Sequence, residues 1–163
     1  MKNAVVLVGH GGIPKDYSPE KVSRLKMLES QRQRTATPMT EEERVLDEEI
    51  RTWPRTLKND PFCFGTQAIA KHLQPKLADT KLVVAYNEFC GPSIEQAVSE
   101  LVGQKFTHIT LLSTMLTPGG VHSEFEIPEI VEDLQKKYPQ IELHYPWPFN
   151  LDKVAGFLAD CAS

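Results

Sequence analysis

Short β-branched runs alternate with longer stretches of helical period along this chain. Ala4-Val5-Val6-Leu7-Val8 is apolar at every position, which predicts a strand buried on both faces. Leu82-Val83-Val84-Ala85-Tyr86 predicts a second strand, Ile109-Thr110-Leu111-Leu112 a third and Ile141-Glu142-Leu143-His144-Tyr145 a fourth. Helical spacing lies between and after them, over about Phe64 to Leu77, Ser93 to Val102, Glu124 to Lys137 and Leu151 to Cys161. Pro92 ahead of Ser93, and Pro128, suit first-turn positions where a missing N–H costs little. Strict alternation of this kind predicts an α/β fold, a parallel four-stranded sheet with helices on both faces.

One region breaks the rhythm. About fifty residues separate the first strand from the Phe64 helix, where such a connection normally takes a handful. Residues 13–62 therefore read as a helical insertion within a single domain spanning 1–163. Ser18-Pro19-Glu20 opens a polar helix running to about Arg34. A second starts at Thr40, where Thr40 and Glu43 have the spacing of a capping box, and Thr37-Pro38 turns the chain between them.

Composition narrows the classes. With 40% hydrophobic and 25% charged residues, the chain is neither disordered nor collagen-like. Its longest apolar run is far below the roughly 18 residues of a membrane span. A formal charge of -4 gives no electrostatic reason for a nucleic-acid partner. No signal-peptide pattern is visible, and the three widely spaced cysteines, Cys63, Cys90 and Cys161, fit a reducing compartment; both predict a cytoplasmic protein.

Ligands of open parallel sheets bind beyond the carboxyl ends of the strands. After the first strand comes Gly9-His10-Gly11-Gly12, after the second Asn87-Glu88-Phe89-Cys90-Gly91-Pro92. The third is followed by a longer loop ending Pro118-Gly119-Gly120-Val121-His122. His10, Glu88 and His122 thus emerge on one rim from three separate loops. Glycines around His10 leave backbone and imidazole open to a ligand. For His122 a capping or exposed role stands beside the functional one, and for Glu88 a solvated loop carboxylate does. Glu124 and Glu126 read as first-turn acids favoured by the helix dipole. His72, His108 and His144 read as structural or solvent-facing, and Cys90 as a small buried apolar residue. Two imidazoles and a carboxylate suit Fe²⁺, Co²⁺, Ni²⁺ or Zn²⁺ and can also accept protons. Metal insertion into a tetrapyrrole needs both abilities.

Leu7-Val8-Gly9-His10-Gly11-Gly12, Asn87-Glu88-Phe89-Cys90-Gly91-Pro92-Ser93-Ile94 and Pro118-Gly119-Gly120-Val121-His122 with Glu126-Ile127-Pro128, taken in this order, resemble a known family. It is that of the short class II chelatases, the sirohydrochlorin cobaltochelatases and ferrochelatases of sirohaem and cobalamin biosynthesis. The resemblance covers about residues 3–12 and 64–160. It implies a flavodoxin-like half-unit, a lyase-class chelatase activity, and metal handling by residues matching His10, His122 and Glu88. It also implies a homodimer, a tetrapyrrole and a divalent metal as substrates, and no cofactor beyond that substrate metal, Co²⁺ or Fe²⁺, with Ni²⁺ or Zn²⁺ also open. The family usually has Gly-Ser where this chain has Gly11-Gly12, and Asp where it has Glu126. The minimal form lacks the insertion.

Other readings compete. A non-catalytic metal or tetrapyrrole carrier on the same half-unit would use the same residues. Phosphohistidine mutases and phosphatases carry Arg-His-Gly after the first strand, but residue 9 here is Gly. All six arginines, Arg24, Arg32, Arg34, Arg44, Arg51 and Arg55, lie within the insertion, so a phosphoryl group would lack clamps elsewhere. For the insertion itself two readings stand. One is a pair of solvated helices laced with ion pairs such as Glu48–Arg51 and Glu20–Arg24. The other is a lid leaving the rim after His10, in which Arg32, Arg34, Arg51 and Arg55, with Trp53, grip a carboxylate-rich macrocycle beside Gly11 and Gly12.

Overall fold

The five apolar residues Ala4–Val8 occupy the middle of strand β1 (Asn3–Gly9) in the computed structural model, which describes residues 2–162. Strand β1 sits inside the sheet because it has no polar edge to present: Val6 and Val8 are fully buried. Helices α1 (Pro19–Thr35) and α2 (Glu41–Thr52) follow, then α3 (Pro61–Leu73) and β2 (Lys81–Tyr86). The remaining elements are α4 (Ile94–Gly103), β3 (His108–Ser113), α5 (Ile127–Lys137), β4 (Glu142–His144) and α6 (Leu151–Ala162). All four strands are parallel, in the order β2-β1-β3-β4.

Helices cover both faces. Ala4, Val6 and Val8 point to the side where Ile94, Ala97, Val98 and Leu101 of α4 meet Ile127 and Leu134 of α5. On the other side α3 lies so close that a Cβ at Gly9 would come within 3.1 Å of Thr66 Cγ2. Register brings the strand ends level: Gly9 pairs with Tyr86, and Val8 with Ser113. The loops after β1, β2 and β3 therefore leave side by side, with the His10 loop in the middle.

Local signals explain most boundaries. Ser18 caps α1, Thr40 caps α2 and Ser93 closes a full capping box with Gln96 on α4. Helix α3 starts at Pro61, three residues before the sequence pattern predicts, because Asp60 accepts a hydrogen bond from the Cys63 N–H and Pro61 takes the first helical position. At Thr40 only half the expected box forms. The Glu43 N–H reaches Thr40, but its carboxylate turns instead to Arg32, 2.7 Å away, and is fully buried there.

The expected ion pairs are also redistributed. Arg24 pairs with Glu42 of α2 rather than with Glu20, and Arg51 pairs with Asp47 rather than with Glu48. Tyr17, Leu25 and Ile50 build a second small core inside the insertion, joined by Phe89 from the loop after β2. Trp53 packs edge-on against Tyr17 and donates to Asp16, so it serves this small core.

Candidate metal centre

The first βα turn is shaped by what it must pass. Gly11 has φ +97°, and a Cβ there would lie 1.7 Å from the Glu88 carbonyl oxygen. A Cβ at Gly12 would meet Asp60 Oδ1 at 2.8 Å. Both glycines thus allow the His10 loop to press against its neighbours. The Asn87 N–H donates to Gly9 O and the Glu88 N–H to His10 O, extending the β1–β2 ladder into the loops.

His122 opens a π-helical turn, His122–Glu126, that runs directly into α5. The four-residue spacing sets His122 and Glu126 on the same inner side. Nδ1 of His122 lies 2.6 Å from Glu126 Oε2, which also accepts from Asn87 Nδ2 at 2.8 Å. Nδ1 of His10 faces the Gly11 carbonyl at 2.9 Å. The acceptor at each Nδ1 favours the tautomer with the proton there and Nε2 as a lone pair, although Asn87 Nδ2 also lies 3.0 Å from His122 Nδ1. Those two Nε2 atoms face each other at 3.1 Å, and Glu88 Oε2 lies 3.7 Å from that of His10. Two lone pairs this close repel unless a proton or a cation lies between them. The three donors fall within 4.8 Å of one another and are half-exposed, a set that fits one divalent ion with coordination positions left open.

Burial opposes the charge on Glu126, but the hydrogen bonds from His122 and Asn87 outweigh it and hold its carboxyl below the usual carboxylate range. Glu126 and Asn87 contact His122 and thus join the site, a role not foreseen from the sequence. The signal for Glu126 was its four-residue spacing from His122, and Asn87 stands directly before Glu88 in the loop after β2.

A cavity of about 720 Å³ opens beside the centre, between the insertion and the α4–α5 face. Glu88 and Glu126 line it, together with Glu29 and Arg32 from α1. Burial, aided by Glu88, Asp47 and Glu43 and only partly offset by Arg32, pushes the Glu29 carboxyl up to about 7. Arg34 is exposed and donates to the Ser30 carbonyl. Arg51 also lines this cavity, and it and Arg55 are largely buried. Their side chains are only 16% and 10% exposed, and both guanidinium groups bind backbone carbonyls. His72, His108 and His144 lie away from the centre, on α3, β3 and β4. Asp60, Cys63 and Cys90 form a second, buried cluster. There Asp60 is already taken by Cys63 N–H and Arg55, and burial pushes the Cys90 thiol up to about 12, so the cluster is packing and not a thiolate site.

A parallel half-sheet with this imidazole–carboxylate rim has the architecture of a class II chelatase half-unit. The CbiX family model matches residues 65–154, more than half of the sequence. The chain belongs to the CbiX family. Glu88 and His122 fall inside the matched segment, whereas His10 and the insertion precede it. A sirohydrochlorin ferrochelatase of Priestia megaterium is 31% identical over 70 residues, 43% of this chain and 26% of the relative. The chain thus spans about a quarter of the length of the curated relative it matches. Among solved structures, the CbiX protein of Marinobacter aquaeolei VT8, assigned to cobalamin (vitamin B12) biosynthesis, superposes with a TM-score of 0.59 at 14% identity. That match covers 99% of this chain and 93% of the other. SirB of Bacillus subtilis, with Fe3+ bound, gives 0.52 at 19% identity, over 89% of this chain and 39% of the other. The cobalt complex of SirB from Bacillus subtilis subspecies spizizenii gives the same score and identity over 42% of its length. At these identities the likeness speaks for the fold.

Proposed function

We propose that the protein inserts Co²⁺ or Fe²⁺ into a sirohydrochlorin-type tetrapyrrole, the step that sirohaem and cobalamin biosynthesis require. The observation that carries this reading is the pair of Nε2 atoms 3.1 Å apart with Glu88 beside them. His10, His122 and Glu88 bind the incoming ion. As the ion moves into the macrocycle, it displaces two pyrrole N–H protons. The same two Nε2 lone pairs, released from the metal, accept those protons. Nothing is oxidised or hydrolysed, and no cofactor is needed. The names of the relatives support the substrate class.

Geometry bears on the metal. With metal–nitrogen bonds of about 2.1 Å, two nitrogens 3.1 Å apart subtend roughly 95° at a shared ion. Both imidazoles can therefore reach one shared ion, and an imidazole–carboxylate set of this kind accepts several divalent metals. Arg32, on the cavity wall, and exposed Arg34 supply guanidinium groups for macrocycle carboxylates. The working unit is a homodimer: Leu151, Phe157 and Leu158 of α6 are each more than half exposed and form an apolar face suited to a second copy. Light scattering at micromolar concentration checks this, and a fully active monomer would exclude it. No helix among the described residues is long and apolar enough to cross a membrane.

The test is metallation followed by the absorbance change as metal enters the ring. His10→Ala removes a half-exposed side chain and should leave the fold intact while turnover drops about 100-fold or more. Near wild-type turnover in folded His10→Ala protein would overturn the assignment. A carrier would be recognised by a single stoichiometric binding event without repeated product release.

A further inference from the structure

Resting on that reading of the metal centre, we propose that the insertion is a buttress for the loop that carries Glu88, and that Arg51 and Arg55 are its positioning residues. The loop after β2 has no regular hydrogen-bond ladder beyond Glu88, so its carbonyls need donors from elsewhere. Arg51 supplies two: Nη2 donates to Asn87 O at 3.1 Å and Nη1 to Cys90 O at 3.0 Å. Its backbone carbonyl accepts from the Gly91 N–H at 3.1 Å, and both oxygens of Asp47 hold its Nε. Arg55 donates from Nη2 to Phe89 O and to Ile50 O, and from Nη1 to Gly12 O and to the buried carboxylate of Asp60. Of the four consecutive carbonyls from Asn87 to Cys90, three are bound by these two guanidinium groups. The fourth, on Glu88, accepts from the Cys90 N–H.

Side-chain packing fixes the same segment. Phe89, at φ +55°, swings into the insertion's small core against Tyr17, Leu25 and Ile50. Glu88 is thereby turned the other way, toward His10. Arg55 touches both loops at once, since Gly12 follows His10 and Phe89 follows Glu88. One buried side chain thus ties the imidazole's loop to the carboxylate's loop, beside the direct Glu88 N–H to His10 O hydrogen bond. The insertion's neck is closed as well, by the Lys15 N–H on Asn59 O at 2.9 Å and by Asn59 Nδ2 on Asp16. Arginine is required for this task, because lysine has no planar fork to span two carbonyls and a carboxylate together.

Arg51→Gln, Arg51→Lys and Arg55→Gln test the proposal, with Arg24→Gln as a control from an exposed ion pair of the same insertion. Binding of Co²⁺ alone is read from its visible absorption, and amide hydrogen exchange of residues 87–91 is read by mass spectrometry, both well below each variant's melting temperature. Arg51→Gln should weaken Co²⁺ binding 10- to 100-fold and speed exchange of the 87–91 loop, with β1 and β3 still protected. Arg51→Lys should not rescue either property, and Arg24→Gln should change neither. If Arg55→Gln does not fold, the two Arg51 variants decide the matter. Wild-type Co²⁺ affinity with unchanged loop exchange in folded Arg51→Gln would overturn the buttress. Failure of the wild-type protein to bind Co²⁺, or equal binding by His10→Ala, would overturn the metal centre instead and leave loop exchange as the deciding measurement.

Discussion

Oε2 of Glu126 lies 2.6 Å from Nδ1 of His122, and this contact decides which imidazole nitrogen faces His10. Removing it in Glu126→Ala frees the ring to turn, and Co²⁺ affinity should fall 10- to 100-fold, with Glu126→Gln falling less because an amide oxygen can still accept. A Co²⁺ titration checks both; unchanged affinity in Glu126→Ala would mean that packing alone orients His122. The same carboxylate ties stability to pH. Its folded-state pKa is depressed, so its contribution is full above the ordinary value of 4.5 and is lost as pH falls through the lower folded value. Acid unfolding of the wild type should therefore converge with that of Glu126→Gln at the low end of this range.

Glu29 has the opposite sign. Its folded carboxyl titrates at about 7 against 4.5 for the free group, so the folded protein binds more protons between these limits. Stability is lowered progressively as pH rises from 4.5 to about 7, and the penalty is complete above that. Glu29→Gln should raise the melting temperature at pH 8 and leave it nearly unchanged at pH 4.5. An equal effect at both pH values would show that the substitution acts by packing.

Gly11→Ala sets a Cβ 1.7 Å from the Glu88 carbonyl at a positive φ. Strain and displacement together should cost more than about 2 kcal/mol, measured by urea unfolding, and should abolish Co²⁺ binding even in the folded fraction. Retained binding would mean that the two loops can separate without disturbing the centre.

The cysteines offer a probe of the buttressed loop. Cys63 and Cys90 are 4% and 1% exposed, while Cys161 is exposed on α6. A disulfide reagent should label one thiol rapidly in the native protein and all three after denaturation. Arg51→Gln should speed labelling of Cys90. Two fast thiols in the wild type would show that the loop opens on its own.

The strands were legible because buried parallel strands leave an unmistakable apolar run, as Ala4–Val8 does. The rim residues His10, Glu88 and His122 were legible because parallel strands discharge their loops on one side. Cross-helix partners were not. Glu20 and Arg24 have suitable spacing, yet Arg24 finds a bidentate partner in Glu42 when α1 and α2 pack. Glu43 has the spacing of a capping residue, but burial makes an arginine a better partner than a backbone N–H. Glu126 was hidden for a related reason: an ordinary helix dipole explains an early acid, so its four-residue spacing from His122 did not stand out as a contact. Arg51 and Arg55 carry the largest lesson, since the sequence showed their charge but not that backbone carbonyls would take it up.

Strand order has a consequence for how the protein can be cut. Because β1 lies between β2 and β3, the segment matching the family, residues 65–154, contains β2, β3 and β4 but not the strand that joins β2 to the other two. A fragment limited to that segment would keep Glu88 and His122 yet lack the strand that sets β2 and β3 side by side, and lack His10. The stretch before residue 65 is thus both the keystone of the sheet and the donor of the central imidazole. Truncation there removes scaffold and chemistry in a single stroke, and supplying residues 2–64 as a separate polypeptide is the route by which the centre could be reassembled from two pieces.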